Sequence, residues 1–434
     1  MNVSIEKLPN SRIRLRVEVP AGDVQPFLES AAREFSKESP PKGFRPGTVP
    51  FDVMRNVVGD APIAERAAKA LVHKTYVEVL LERDDIEAIG SPEVEVESVA
   101  FGQPWVYRAT VAVLPDVTLG NYRGVRGTRR TVSIESPEVE RELETLQRMR
   151  ASYLTVPRAA QRGDRVEVDI VGTVDRVPIE PGMQRRQPVL LGESRVIQGF
   201  EEHLVGMKEG ETKKFPLTFP EQHHESALRG KTVEFTVTMG TIQQRILPTL
   251  DDAFAKGLGN FQSLADLKEK LTSSMRDEKE QREQERLHQE LLEQVIQGTT
   301  FGPFPEILIE RELETMVGEL EEGLADMDLS FDTYLAQIKK TKEDIRAGMR
   351  EQAVRRIRAG LVLRVVAKLE GISSTDEEVE SEVNEVLKKF PGTAKEAVGK
   401  LDIEDLRGLT AGTIRNRKVF ALFESLARKN GSER

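Results

Sequence analysis

The chain has 434 residues, of which 38% are hydrophobic and 31% charged, with a formal net charge of −10 and no cysteine. At roughly 100–200 residues per domain, this is a chain of about two to four domains. The composition excludes disulfides, thiol catalysis and Cys-ligated zinc, and the acidic balance excludes a general nucleic-acid coat, so any contact with RNA must be local.

Residues 1–115 read as α+β. Ile13, Leu15, Val17 and Val19 alternate with Arg12, Arg14 and Arg16, which predicts a strand with one buried face. Its cationic face is either solvated or an accessory basic surface. Asp23 is placed to cap a helix with apolar positions Val24, Phe27, Leu28, Ala31, Ala32 and Phe35, which stops before Pro40-Pro41. A second helix is expected to start after Asp60 and run to about Glu82, turning Ile63, Ala67, Ala70, Leu71 and Leu80 inward. Strands follow near residues 94–99 and 105–113, the latter with Trp105, Tyr107, Ala109, Val111 and Val113 on one face. Residues 116–160 read as a connector, Gly- and Arg-rich at first, then a short helix near 137–151.

From 161 to 246 the pattern turns to β: Val166, Val168 and Ile170 alternate, as do Phe215, Leu217 and Phe219, and Val233, Phe235, Val237 and Met239. Between them lies a short helix at 197–204, with Phe200 and Leu204 at i, i+4. One helix on a small antiparallel sheet makes a compact α+β domain. Residues 247–434 read as helical. Leu264, Leu267, Leu271 and Met275 form a stripe that stops over 276–286 and resumes at Leu287, Leu291, Leu292 and Val295. One helix through this stretch is about 50 Å long and is expected to pack at each end and be wet between. Leu313, Met316, Val317, Leu320 and Leu324 form another apolar face, as do Ile414, Phe420, Phe423 and Leu426. Residues 374–379 carry a capped helix start. No apolar run approaches the roughly 20 residues that cross a membrane. Residues 1–7 have no apolar h-region, so no secretory leader is expected.

Few residue clusters point to bond-breaking chemistry. The five histidines are scattered, and the adjacent pair His223-His224 reads as a surface loop rather than a metal site. Gly230-Lys231-Thr232 resembles the end of a phosphate loop, but Glu225 stands where its first glycine is required. The segment 40–50 is a Gly- and Pro-rich loop that presents Phe44 beside Arg45, with Lys42 near and no acid before Asp52. Arg pairs with phosphate or carboxylate while Phe fills an apolar pocket, a combination suited to a mixed protein and RNA surface.

Gly43-Phe44-Arg45-x-Gly47-x-x-Pro50 is similar to the ribosome-docking signature of the bacterial trigger factor family. The resemblance continues in Pro115-Asp116-Val117-x-Leu119-Gly120-Asn121-Tyr122, in residues 139–146, and in Leu250-Asp251-Asp252-x-Phe254-Ala255-x-x-Leu258-Gly259, and covers essentially the whole chain. It implies a multidomain α+β fold: an N-terminal α+β ribosome-binding domain (1–115), a connector (116–160), an FKBP-like antiparallel sheet with one short helix (161–246), and an elongated all-α C-terminal domain with projecting arms (247–434). It implies docking through Lys42, Gly43, Phe44, Arg45, Pro46 and Gly47 on the large ribosomal subunit near the tunnel exit, against protein and rRNA. Nascent and unfolded polypeptides are the other partners, with a weak homodimer off the ribosome. A cytoplasmic location is expected, with no membrane or DNA partner and no metal or other cofactor. Where this chain has Pro46 the family usually has Lys, which removes a cation and stiffens the tip.

Residues 163–169, 196–201 and 230–235 look like an FKBP-type prolyl isomerase. That chemistry needs no nucleophile: the barrier of about 18–20 kcal/mol comes from breaking amide resonance, and an apolar cup that fits the twisted amide lowers it. By the resemblance the cup comprises Ile170, Ile179, Val196, Ile197, Phe200 and Phe235, with Glu180 and His223 at its rim and a backbone N–H near 196–197 as donor. Ile170 and Ile179 stand where aromatics are usual, His223 where Tyr is usual, and Glu180 where Asp is common. Weak isomerase activity is the expectation. A free isomerase with helical extensions, and a holdase whose cup is inactive, are the alternatives. In the helical region, apolar surface rimmed by charge is expected to hold client segments, with Met316, Met327 and Met349 adding adaptability.

Overall fold

The computed structural model describes residues 1–83, 85–174, 177–193, 199–222, 228–389 and 403–432. They form two compact units, Met1–Arg129 with Gln284–Arg434, and Arg130–Glu283.

In the first unit, alternating residues build an antiparallel sheet from β1 (Asn2–Leu8), β2 (Arg12–Val19), β3 (Ala88–Ser98) and β4 (Trp105–Val113), in the order β1-β2-β4-β3. Ile13, Leu15, Val17 and Val19 share a buried face with Trp105, Tyr107, Ala109 and Val111, since successive strand residues point to opposite sides. Helices α1 (Ala21–Glu38), α2 (Phe51–Val58) and α3 (Asp60–Leu81) pack into the same core. On the other face Arg12 pairs with Glu93, Arg14 with Glu6 and Arg16 with Glu97. These cations are therefore neutralised across strands, and the accessory basic surface is not there.

Three details correct the sequence pattern. Helix α1 begins at Ala21, because Pro20 already has a helical φ of −58° and its carbonyl takes the amides of Asp23 and Val24; Asp23 sits in the first turn and caps nothing. Helix α2 follows Pro50 directly and was hidden behind the Gly- and Pro-rich loop. In α3 the inward stripe runs Ile63, Ala67, Leu71, Thr75 and Val79 at strict i, i+4 spacing, which leaves Ala70 exposed.

Past a two-residue strand β5 (Val117–Thr118), the second unit opens with α4 (Ser136–Met149) and β6 (Ser152–Thr155). Strands β7 (Arg165–Val174), β8 (Val177–Leu190), β9 (Thr212–Thr218) and β10 (Thr232–Ile246) then form its sheet. Strand β10 is the hub: β7 lies on one edge, and β9 and β6 share the other. The short helix α5 (Phe200–Leu204) buries Phe200 and Leu204 completely against this sheet. A separate cluster joins Leu143 of α4 to Phe254 and Ala255 of α6 (Asp252–Leu258) and Leu267 of α7 (Leu264–Gln297).

Helix α7 has 34 residues, so it is about 51 Å long. Its polar middle is exposed except at Lys279 and Arg286, which are half-buried, and at Glu283, which is buried and accepts the Arg130 amide at 2.7 Å. Four residues earlier, Lys279 reaches both Glu138 oxygens at 2.7 and 2.8 Å and holds that carboxyl below its ordinary pKa.

The helical part of the first unit takes α7 on to β11 (Thr300–Phe301), α8 (Glu306–Ala325), α9 (Phe331–Ile338), α10 (Lys342–Leu369), α11 (Asp376–Lys389) and α12 (Ile403–Ser432). Helix α10 serves two cores. Its Val362, Leu363 and Val366 meet Leu287, Leu291 and Val295 of α7 and Val419 and Phe423 of α12; its Ala353, Ile357 and Leu361 meet Ile309, Leu313 and Met316 of α8. Met316 is thus core, Met349 packs against it, and only Met327 is largely exposed. The Gly- and Arg-rich stretch is no free connector at its start. Val117 pairs with Phe301, and Val125 is buried among the α7, α10 and α12 side chains. Thr375 and Glu378 cap α11 reciprocally, as the sequence predicts. No helix among the described residues is long and apolar enough to cross a membrane.

Candidate functional site

The loop after α1 is a clamped base with an exposed tip. Ser36 lies on the inward stripe of α1, four residues beyond Ala32, and is fully buried. Its hydroxyl accepts the Gly47 amide at 2.9 Å and the Val49 amide at 3.5 Å, and its carbonyl accepts Gly47 again at 3.3 Å. Val49 is sunk into the core beneath. Gly43 and Gly47 have φ of +94° and +80°, which L side chains rarely adopt, and a Cβ on Gly47 would press within 3.2 Å of Lys37 Cγ. The loop therefore holds its form by backbone geometry while Lys42, Gly43, Phe44, Arg45 and Pro46 face solvent. Phe44 is 42% exposed, a large exposure for a phenyl ring. Lys42 and Arg45 make no ion pair among the described residues.

Sequence reasoning found the tip and missed its clamp. The only signal was a hydroxyl in an otherwise apolar i, i+4 register. Ser36→Ala strands the buried Val49 amide and leaves the Gly47 amide only the longer bond to the carbonyl of residue 36, so we expect a loss of about 1–3 kcal/mol in the local stability of the loop. Hydrogen exchange at Gly47 and Val49 would quicken, with little change at β4.

The second candidate lies in the other unit. Ile170 of β7, Phe200 of α5 and Phe235 of β10 converge in one apolar cluster, 5%, 0% and 4% exposed. Phe200 meets Phe215 and Phe235 edge-on, both at 5.5 Å between ring centroids. His203 stacks on Phe215 at 4.2 Å. Gly199, at φ +89°, starts α5, and the Glu201 carboxylate, itself buried, accepts the Gly192 amide at 2.5 Å. Glu201 thus ties α5 to the segment that follows β8, a role the sequence did not disclose. Asp164 is also buried and holds Arg158 with two hydrogen bonds, at 2.6 and 3.0 Å. Of the other cup residues, Ile179 and Glu180 belong to β8 but their side chains lie outside the described set, and Val196, Ile197 and His223 lie outside the described residues.

Comparison with known proteins follows the same division. A family model described as bacterial trigger factor protein matches residues 1–146, and its C-terminal counterpart matches residues 263–423. Between them, a model described as FKBP-type peptidyl-prolyl cis-trans isomerase matches residues 156–240. The chain is similar to the trigger factor of Carboxydothermus hydrogenoformans, 34% identical over 98% of this chain and 99% of that one. It is 31% identical to that of Caldicellulosiruptor bescii, over 98% and 97% respectively. A solved trigger factor chaperone aligns over 98% of this chain and 99% of its own, with 24% identity and a TM-score of 0.46.

Proposed function

The chain belongs to the bacterial trigger factor family and carries an FKBP-type domain, and from that premise we propose that it is an ATP-independent, cytoplasmic chaperone that docks at the ribosomal exit tunnel. In this reading the domain formed by residues 1–115 docks, 247–434 holds exposed hydrophobic segments of nascent chains, and 161–246 turns over X-Pro bonds in them. The observation that carries the reading is the 42–47 tip: an exposed phenyl ring between two unpaired cations, on a base clamped by Ser36, in a chain of net charge −10. A clamped tip loses little conformational entropy on docking. Its cations suit rRNA phosphate and its ring suits an apolar notch on a ribosomal protein.

Coupling the catalyst to the holder makes kinetic sense, because uncatalysed prolyl isomerisation takes about 10–100 s and limits folding. Ile170, Phe200 and Phe235 supply the floor of the cup, and Ile179, Glu180, Val196, Ile197 and His223 are its remaining members. The dock is tested by co-sedimentation with bacterial ribosomes at near-physiological salt. We expect the intact chain to pellet and a Phe44→Ala, Arg45→Ala double variant to lose roughly tenfold or more in affinity. Equal pelleting of both would remove the tip from the dock, and no pelleting of either would favour a free isomerase or free holdase.

A further inference from the structure

The first unit contains an open groove of about 1130 Å³ between α3 and β3, on the sheet face that elsewhere is core. Register explains it. Val94 pairs with Ala109 and Val96 with Tyr107, so both valines share the face of those two buried residues. Yet β3 is the edge of the sheet, and the helices stop short of it: Val94, Val96 and Val99 are 39%, 48% and 40% exposed. Ala64, Ala68 and Val72 of α3 form the opposite wall.

Three further features say what fits there. Tyr76, also lining the groove, is 8% exposed, and its hydroxyl has no hydrogen-bond partner, whereas the neighbouring Thr75 and Tyr107 hydroxyls satisfy each other at 2.8 Å. The oxygen itself is buried, so Tyr76 offers the groove its ring and not a donor. Among the described residues β3 pairs on one side alone, with β4, leaving outward backbone groups of 93–97 for another strand. On the opposite face the same stretch carries Glu93, Glu95 and Glu97; Glu93 is paired with Arg12 and Glu97 with Arg16 and Arg108, whereas Glu95 is exposed and makes no ion pair among the described residues. A guest strand beside β3 would therefore place apolar residues in the groove and meet the Glu95 carboxylate with a residue of the alternate set.

We propose that the α3/β3 groove is a polypeptide-binding site that takes an extended segment of an unfolded chain, alternating apolar and basic residues, as a fifth strand on β3. The proposal rests on the chaperone reading and adds a client site outside both the helical region and the prolyl cup. Pro92, which has no N–H, and the irregular register on either side of 93–96 confine pairing to this short stretch.

The probe is a fluorescent ten-residue peptide alternating valine and lysine, titrated by anisotropy into the full chain. We expect binding that falls at least tenfold in Val96→Glu and at least tenfold when glutamate replaces lysine in the peptide. Because the chain has no cysteine, Val94→Cys provides one thiol, which should form a disulfide with a cysteine placed at an apolar position of the peptide and not at a basic one. Unchanged affinity in Val96→Glu, or no positional preference in disulfide trapping, overturns the site. If Val96→Glu instead abolishes a concentration-dependent dimer in sedimentation, the occupant is a second copy and the proposal is wrong. Suppression of aggregation of a denatured client separates the two readings: a wild type that suppresses aggregation but ignores the peptide loses only the groove, whereas one that does neither loses the chaperone reading as well.

Discussion

Phe200→Ala is expected to destabilise the central sheet domain by about 3–5 kcal/mol. The ring is fully buried and sits edge-on to Phe215 and Phe235, so the substitution opens a cavity and also removes two aromatic pairs worth about 0.5–1.5 kcal/mol each beyond area. The single tryptophan, Trp105, lies in the other unit's sheet, so its fluorescence is blind to this loss and serves as an internal control. Hydrogen exchange across β7, β9 and β10 should accelerate while Trp105 keeps its transition. Catalysis is read separately with Phe200→Leu, which fills most of the volume and loses chiefly the two aromatic pairs, about 1–3 kcal/mol. If Phe200 forms the floor of the cup, the folded Leu variant isomerises a prolyl peptide several-fold more slowly than the wild type. An unchanged rate would make Phe200 a core residue alone. A wild type with no rate above background would leave the domain as a clamp.

The elements that sequence disclosed are those whose signal is local. Period-two runs in β2, β4, β7 and β10, and the split stripe of α7, need only the chain's own geometry to be read. The missing parts depend on partners far along the chain. Ser36 looks like a weak helix residue until the amides of 47 and 49 arrive above it. Glu201 and Glu283 look like solvated charge, yet each is buried because a backbone amide, of Gly192 and of Arg130, is aimed at it. Val94 and Val96 read as an ordinary strand, and their exposure follows only from β3 being the edge. The exposed 42–47 tip was legible for the opposite reason: its glycines, prolines and Phe-Arg pair are consecutive, so the motif stands complete in ten residues. The residues proposed for the cup are spread over more than sixty positions, and of them Ile170, Phe200 and Phe235 meet in one cluster.

Gly120→Ala is the second large effect, and its cause is close backbone approach rather than conformational freedom. Strand β5 pairs with β11 just past the end of α7, and this brings Gly120 against Gly298. A Cβ on Gly120 would lie well inside contact distance of the Gly298 carbonyl oxygen, which is backbone and cannot rotate away. The following residues are stitched into the helical core. The Tyr122 hydroxyl and the Arg123 guanidinium both donate to Glu370 at 2.6 Å, and Asn430 donates to the carbonyls of Arg123 and Val125 at 2.9 Å. The alanine methyl must therefore displace either this segment or the end of α7, and we expect a cost of about 3 kcal/mol or more. The contact is one-sided, which sharpens the test. A Cβ on Gly298 meets nothing closer than 3.7 Å, so Gly298→Ala should be nearly neutral. Gly22→Ala, in the open first turn of α1, should gain about 0.5–1 kcal/mol from helix propensity. Thermal unfolding of the three variants, with hydrogen exchange over 117–127 and 284–302, orders them. A mild Gly120→Ala would mean that the β5–β11 junction yields freely, and that the Leu119-Gly120-Asn121-Tyr122 segment owes its glycine to something other than packing.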